Sequence, residues 1–224
     1  DPVDDLRATN PATHPRLLER LAEDFVKHGC DARHTLRLIA NSSAYQRGGP
    51  TNNLNRSDDR FYSRALIWPL PAEVRADAIA AVTGVSDRFG DLPPGTRAIT
   101  LFDSQVPAPA LDVLGRCSRA GPCEEDAASS GGLARTLHLI NGPLLNAKID
   151  AAEGRLRKLL AGKHSDAQLV EEFYLRALGR SPDANERAFW AKNLTGARTE
   201  DERREVFEDF LWGLLTSREF TTNH

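Results

Sequence analysis

His28, Cys30 and His34 fall within seven residues, and both side chain types bind transition metals. Gly29 and Asp31 set them across a helix-to-helix turn. A histidine in a last helical turn already interacts favourably with the helix dipole. Zinc sites generally draw four ligands in defined pairs, and no second His or Cys pair is visible, so no metal is expected here. Glu73 and Asp77 are four apart on one helical face, with Arg75 between them. Two such carboxylates can serve as acid and base or bind a cation, and they serve equally as a salt-bridged surface. His138 stands among Leu137, Leu139 and Ile140, beside the Asn141-Gly142-Pro143 turn. It reads first as a core or half-buried histidine, and second as a catalytic or ligand group facing a cavity. Asp103 and Asp112 carry the same ambiguity as the Glu73 pair.

Arg116, Arg119, Glu124, Glu125 and Asp126 crowd a loop that also holds Cys117 and Cys123. Buried charges of this density must pair, since leaving one unpaired costs roughly 3–5 kcal/mol. Such a network pins an irregular loop. Alternatively, Arg116, Arg119 and Glu124 line a small polar pocket at the start of the helix that follows, where free N–H groups suit an anion. The cysteines are close enough to bridge, and two free thiols are the alternative. Cys30 would be left over. No Cys-x-x-Cys-His occurs, so this segment has no c-type haem attachment of its own, and no cofactor is expected in it. A G-x-S-x-G elbow, a P-loop and a dinucleotide glycine fingerprint are all missing.

The elements that must position these groups are helices. Leu17, Leu21 and Phe25 recur every four residues after Pro15, and Gly29 gives a stop. A second helix is expected over 31–45 with Asp31 as N-cap, and the pair reads as a hairpin. Residues 46–62 are polar and rich in Gly and Asn, a surface loop. A third helix is expected over 71–82, ended by Gly84. From 86 to 132 the periodicity fails, apart from a short strand expected at 98–102. Segments this long without regular structure tend to be functional, disordered or docked on a partner. Helices are then expected over 133–146 and 150–160. Ser165/Gln168, Asp183/Glu186 and Thr199/Glu202 each have capping-box spacing. The last heads the most amphipathic helix, with Val206, Phe207, Phe210, Leu211, Leu214 and Leu215 on one face. The expectation is a mainly α, irregular bundle of about eight helices with at most a short β-ribbon. Its parts are an N-terminal hairpin plus third helix (1–85), an irregular region (86–132) and a C-terminal helical subdomain (133–224), together one compact domain.

Composition suits a globular protein: 40% of the 224 residues are hydrophobic and 27% charged. With a net charge of −3 and a pI near 6.1, no basic footprint for nucleic acid is present. No apolar run approaches the ~20 residues of a membrane span.

Four passages resemble the planctomycete surface-domain family known as domain of unknown function 1553. They are DPVDDLRATNPATHP (1–15), SRALIWPLPAEVRADAIAAVTG (63–84), LPPGTRAI (92–99) and GRCSRAGPCEEDAASSGGLARTLHLINGPLLN (115–146). The chain departs from that pattern at Trp68 and Pro69, where the family has paired arginines. It also departs at Cys123-Glu124-Glu125-Asp126, where the family has Cys-x-Cys-Glu-Arg, and at Ile140, where it has Met. FYLRALGRSPDANERAFWAKNL (173–194) and FLWGLLTSREF (210–220) are also similar to a short helical module, domain of unknown function 4214.

The resemblance implies a C-terminal part of a large, exported bacterial protein at the periplasm or cell surface. It also implies upstream domains, among them a c-type cytochrome that carries haem. The oxidising setting implied by export favours a Cys117–Cys123 disulfide. No activity comes with the resemblance. The expected role is a non-catalytic module docking on those upstream domains. The alternative is an enzyme or binder of a small molecule or glycan, redox or carbohydrate-related, with its site where the cysteine loop, the Glu73 helix and His138 converge.

Overall fold

The computed structural model describes residues 7–46, 51–58, 63–103, 105–116 and 143–223. These hold ten α-helices and no strand longer than an isolated bridge. The chain divides between Trp68 and Pro69 into two units, so the third helix belongs with the C-terminal elements.

The first unit contains α1 (Pro15–Lys27) and α2 (Ala32–Ala40), which pack as a hairpin. Pro15 starts α1 because its missing N–H would have no intrahelical partner there anyway. At the other end, the Cys30 amide donates to Phe25 O at 2.9 Å and the Gly29 amide to Val26 O at 3.1 Å. This is a Schellman closure, and it requires left-handed backbone at Gly29 (φ +66°). Cys30 also lies at φ +61°, which costs a non-glycine residue roughly 1 kcal/mol. The Asp31 side chain then caps α2, accepting from Arg33 N at 2.8 Å and His34 N at 3.2 Å. α2 stops at Ala40, five residues short of the expected 45, and Asn41 caps it through its side chain amide to Arg37 O. Both helices are amphipathic, yet neither has a buried residue. Leu17, Leu18, Val26 and Leu36 are all more than half exposed.

The second unit is built around α3 (Ala72–Thr83), whose Ala72 and Ala76 face one apolar cluster and Ile79 and Val82 another. A helix apolar on several sides must be buried, and α3 is. The smaller cluster joins it to Phe89, Ala98, Leu101 and α4 (Pro109–Leu114). The larger joins it to α5 (Pro143–Ile149), α6 (Arg155–Leu160), α7 (Asp166–Leu178), α8 (Ala184–Gly196), α9 (Glu200–Thr216) and α10 (Arg218–Thr221). All three expected capping boxes form, on α7, α8 and α9. Phe210 is the aromatic hub, with ring centroids 4.8 Å from Trp190, 5.8 Å from Tyr174 and 6.2 Å from both Phe173 and Phe207. The unit's two ends meet. Leu70 N donates to Thr221 O at 3.0 Å, and Pro69 bridges Thr222.

Two local expectations are corrected. The strand expected at 98–102 is a 3₁₀ turn, Ala98–Thr100, because Asp77 supplies a cap from another element. The helix expected over 150–160 starts only at Arg155. Residues 151–154 form a turn closed by Gly154 N to Ala151 O at 2.8 Å. A Cβ at Gly154 would itself stand 2.8 Å from that carbonyl oxygen, so only glycine fits the turn.

Candidate functional site

The hairpin turn gathers the most chemically capable cluster among the described residues. Asp24 and His28 share a face of α1 one turn apart, and the reversal through Gly29 and Cys30 returns His34 to them. His28 Nδ1 donates to Asp24 O at 2.9 Å and lies 3.3 Å from the Asp24 carboxylate. His34 Nε2 is 3.0 Å from Asp24 Oδ2. The two imidazoles stack, centroids 3.8 Å apart and planes inclined by 21°. One candidate ligand atom from each of Asp24, His28 and His34 lies within 4.8 Å of the other two. The side chains are 31%, 41% and 33% exposed, so solutes reach them. Cys30, a free and exposed thiol, is in the same turn but not among the converging atoms. Sequence reasoning found both histidines and missed Asp24. The available signal was the helical i, i+4 spacing of Asp24 and His28.

Asp77 serves the fold. Its carboxylate accepts from Ala98 N at 2.7 Å and Ile99 N at 3.2 Å, and pairs with Arg97 Nε at 3.3 Å. Glu73 stands in the first turn of α3, where a negative charge offsets the helix dipole. Beside α3 is a cavity of about 190 Å³ lined by Asp77, Ala81, Asp87, Phe89 and Arg97 among others. That is below the roughly 300–1,000 Å³ usual for small-molecule sites. Its acids are engaged as well. Asp87 pairs with the buried Lys148 at 2.8 Å, and Lys148 also donates to Val85 O at 3.1 Å. Asp103 accepts from Gln105 N at 2.8 Å, closing a turn.

Arg116 pairs with Asp112 at 2.7 Å and donates to Val106 O at 2.6 Å, fixing the end of α4. Arg119, Glu124, Cys117, Cys123 and His138 lie outside the described residues. So does the expected start of the helix over 133–146, along with the proposed anion pocket.

Arg180 heads a polar network that sequence reasoning did not anticipate. Its Nη1 and Nη2 donate to Glu186 at 2.8 and 2.9 Å, while Nε and Nη2 donate to Glu219 at 2.7 and 2.8 Å. The guanidinium also sits 5.4 Å from the Tyr174 ring centre. Hydrogen bonds from Arg180 hold the Glu186 carboxyl at about 2, well below its ordinary value. The Arg180 guanidinium is correspondingly pushed up by both glutamates. Glu186 also receives the Asp183 amide at 2.7 Å as part of the α8 capping box. The network ties the end of α7 to α8 and α10.

The family model described as "Protein of unknown function (DUF1553)" matches residues 1–194. The chain belongs to this family. Neither curated proteins nor solved structures give a match. The DUF1553 match spans the hairpin, α3 and the helices through most of α8, and ends before α9 begins. It therefore includes the Asp24 cluster and the Asp77 cap. It stops short of Phe210 and Glu219, which complete the core and the Arg180 network.

Proposed function

We propose that this DUF1553 chain is a non-catalytic docking module of an exported, cell-envelope multidomain protein, and that its α1–α2 hairpin seats on an upstream domain of the same polypeptide. The cytochrome c-containing domains implied by the family resemblance are the intended seat. The observation that carries this reading is the unburied apolar face of the hairpin. Leu17, Leu18, Val26 and Leu36 line two amphipathic helices that have no core of their own. Helices of 13 and 9 residues are marginal in water without a packing partner, so an apolar face of this kind is built to be covered.

Hydrogen exchange of the α1 and α2 amides, compared between the isolated chain and the full-length protein, tests the proposal. Docking gives slower exchange across both helices in the full-length protein, and Leu17→Asp with Leu36→Asp removes that protection. Equal exchange in the two contexts rules it out.

A further inference from the structure

We infer that Asp24, His28 and His34 form a site for a single zinc-class divalent ion, held by one carboxylate oxygen and one ring nitrogen from each imidazole, with a remaining position open to water. This inference is independent of the docking proposal.

The donor set is the first argument. Two imidazoles and a carboxylate are borderline ligands that favour zinc-like ions over magnesium or calcium, which prefer all-oxygen sites. Three protein ligands plus water is an established zinc arrangement. A tetrahedral ion with bonds of ~2.0–2.1 Å places its ligand atoms ~3.3 Å apart. An Asp24 carboxylate oxygen already lies 3.0 Å from His34 Nε2, and each of the three residues offers one ligand atom within 4.8 Å of the other two.

The second argument is how the ligands are held. His28 Nδ1 donates to a main-chain carbonyl, which fixes the ring and leaves the Nε2 lone pair for a metal. Asp24 and His28 project from α1 and His34 from α2. The turn between them is closed by the Cys30 and Gly29 amides and by the Asp31 cap. The ligands therefore come from fixed helix ends.

The third argument is what the ion would do. A metal joining α1 to α2 binds only when the hairpin is formed, so its binding energy stabilises the hairpin. The hairpin has no buried core to do the same.

The test is calorimetric titration of the chelator-stripped full chain with zinc chloride. The expected result is saturable binding of one ion per chain, accompanied by a rise in the temperature at which the hairpin helices melt. Asp24→Asn and His34→Ala each weaken binding by roughly 100-fold or more, while Cys30→Ser leaves it unchanged. Cobalt substitution is expected to give tetrahedral d–d bands without a thiolate charge-transfer band. Absence of stoichiometric zinc binding by the unaltered chain overturns the inference. So does binding that survives Asp24→Asn and His34→Ala. A thiolate band lost in Cys30→Ser overturns the ligand assignment.

Discussion

The α1–α2 hairpin and the α7–α8–α9 bundle use the same signals at their helix ends, and they differ in what lies between those ends. α2 begins at an Asp cap, and α7, α8 and α9 begin at capping boxes. α1 closes with a glycine-based turn, and α7 with Gly179 at φ +69°. Apolar residues recur at helical spacing in both regions. In the bundle those residues are buried: Phe173, Phe207 and Phe210 are at most 1% exposed. In the hairpin none is buried. Caps and periodicity thus specify where a helix is, while burial depends on what the apolar stripe finds to pack against. A buried core and an exposed apolar face can be written in one local code.

The comparison breaks most decisively at Phe210. Phe210→Ala should destabilise the second unit by about 3–5 kcal/mol, through lost burial and the cavity left among four aromatic rings. Chemical denaturation followed by tryptophan fluorescence reads it, since Trp190 is the nearest of those rings. An unchanged midpoint would mean that the hub is not packed as described.

An intermediate effect is expected at Glu186. Its folded-state pKa of about 2 lies below the ordinary 4.5, so the folded chain holds the proton less tightly than the unfolded chain. The stability this confers is fully present above about pH 4.5 and is lost as pH falls through about 2. Because the network is partly exposed, solvent screening limits the contribution to about 1 kcal/mol. Glu186→Gln should lower stability by that amount near neutrality and flatten the acid limb of the stability profile. A variant with the same acid limb as the unaltered chain would assign the pH dependence elsewhere.

The smallest effect sharpens the contrast. Leu17→Ala and Leu36→Ala should each change the isolated chain's stability by less than about 0.5 kcal/mol, as expected for exposed positions. The same denaturation experiment checks this. A loss as large as that at Phe210 would show that the hairpin has a core after all.

Much of the fold was legible because its determinants are local. Ser165, Asp183 and Thr199 each find their capping partner three residues on, and Gly84 and Gly179 stop helices at the positions their left-handed backbone allows. The buried face of α9 followed from periodicity alone. What escaped sequence reasoning depends on partners distant along the chain. Residues 98–102 have strand-like composition, but Asp77, some twenty residues earlier, bends them into a 3₁₀ turn. Arg180 meets Glu219 across 39 positions, and no spacing rule reveals that pairing. The Asp24 cluster was half legible: helical spacing joins Asp24 to His28, but His34 arrives only once the turn is drawn in three dimensions.

The pairing of Leu70 with Thr221 and of Pro69 with Thr222 has a consequence for how this protein can be built into larger ones. The polypeptide enters and leaves the second unit at one point. A host chain spliced there has almost no gap to span, so the entropy of closing the junction is small. The unit therefore has the form of a cassette, one that can be set into a loop of another protein without forcing the host's own ends apart.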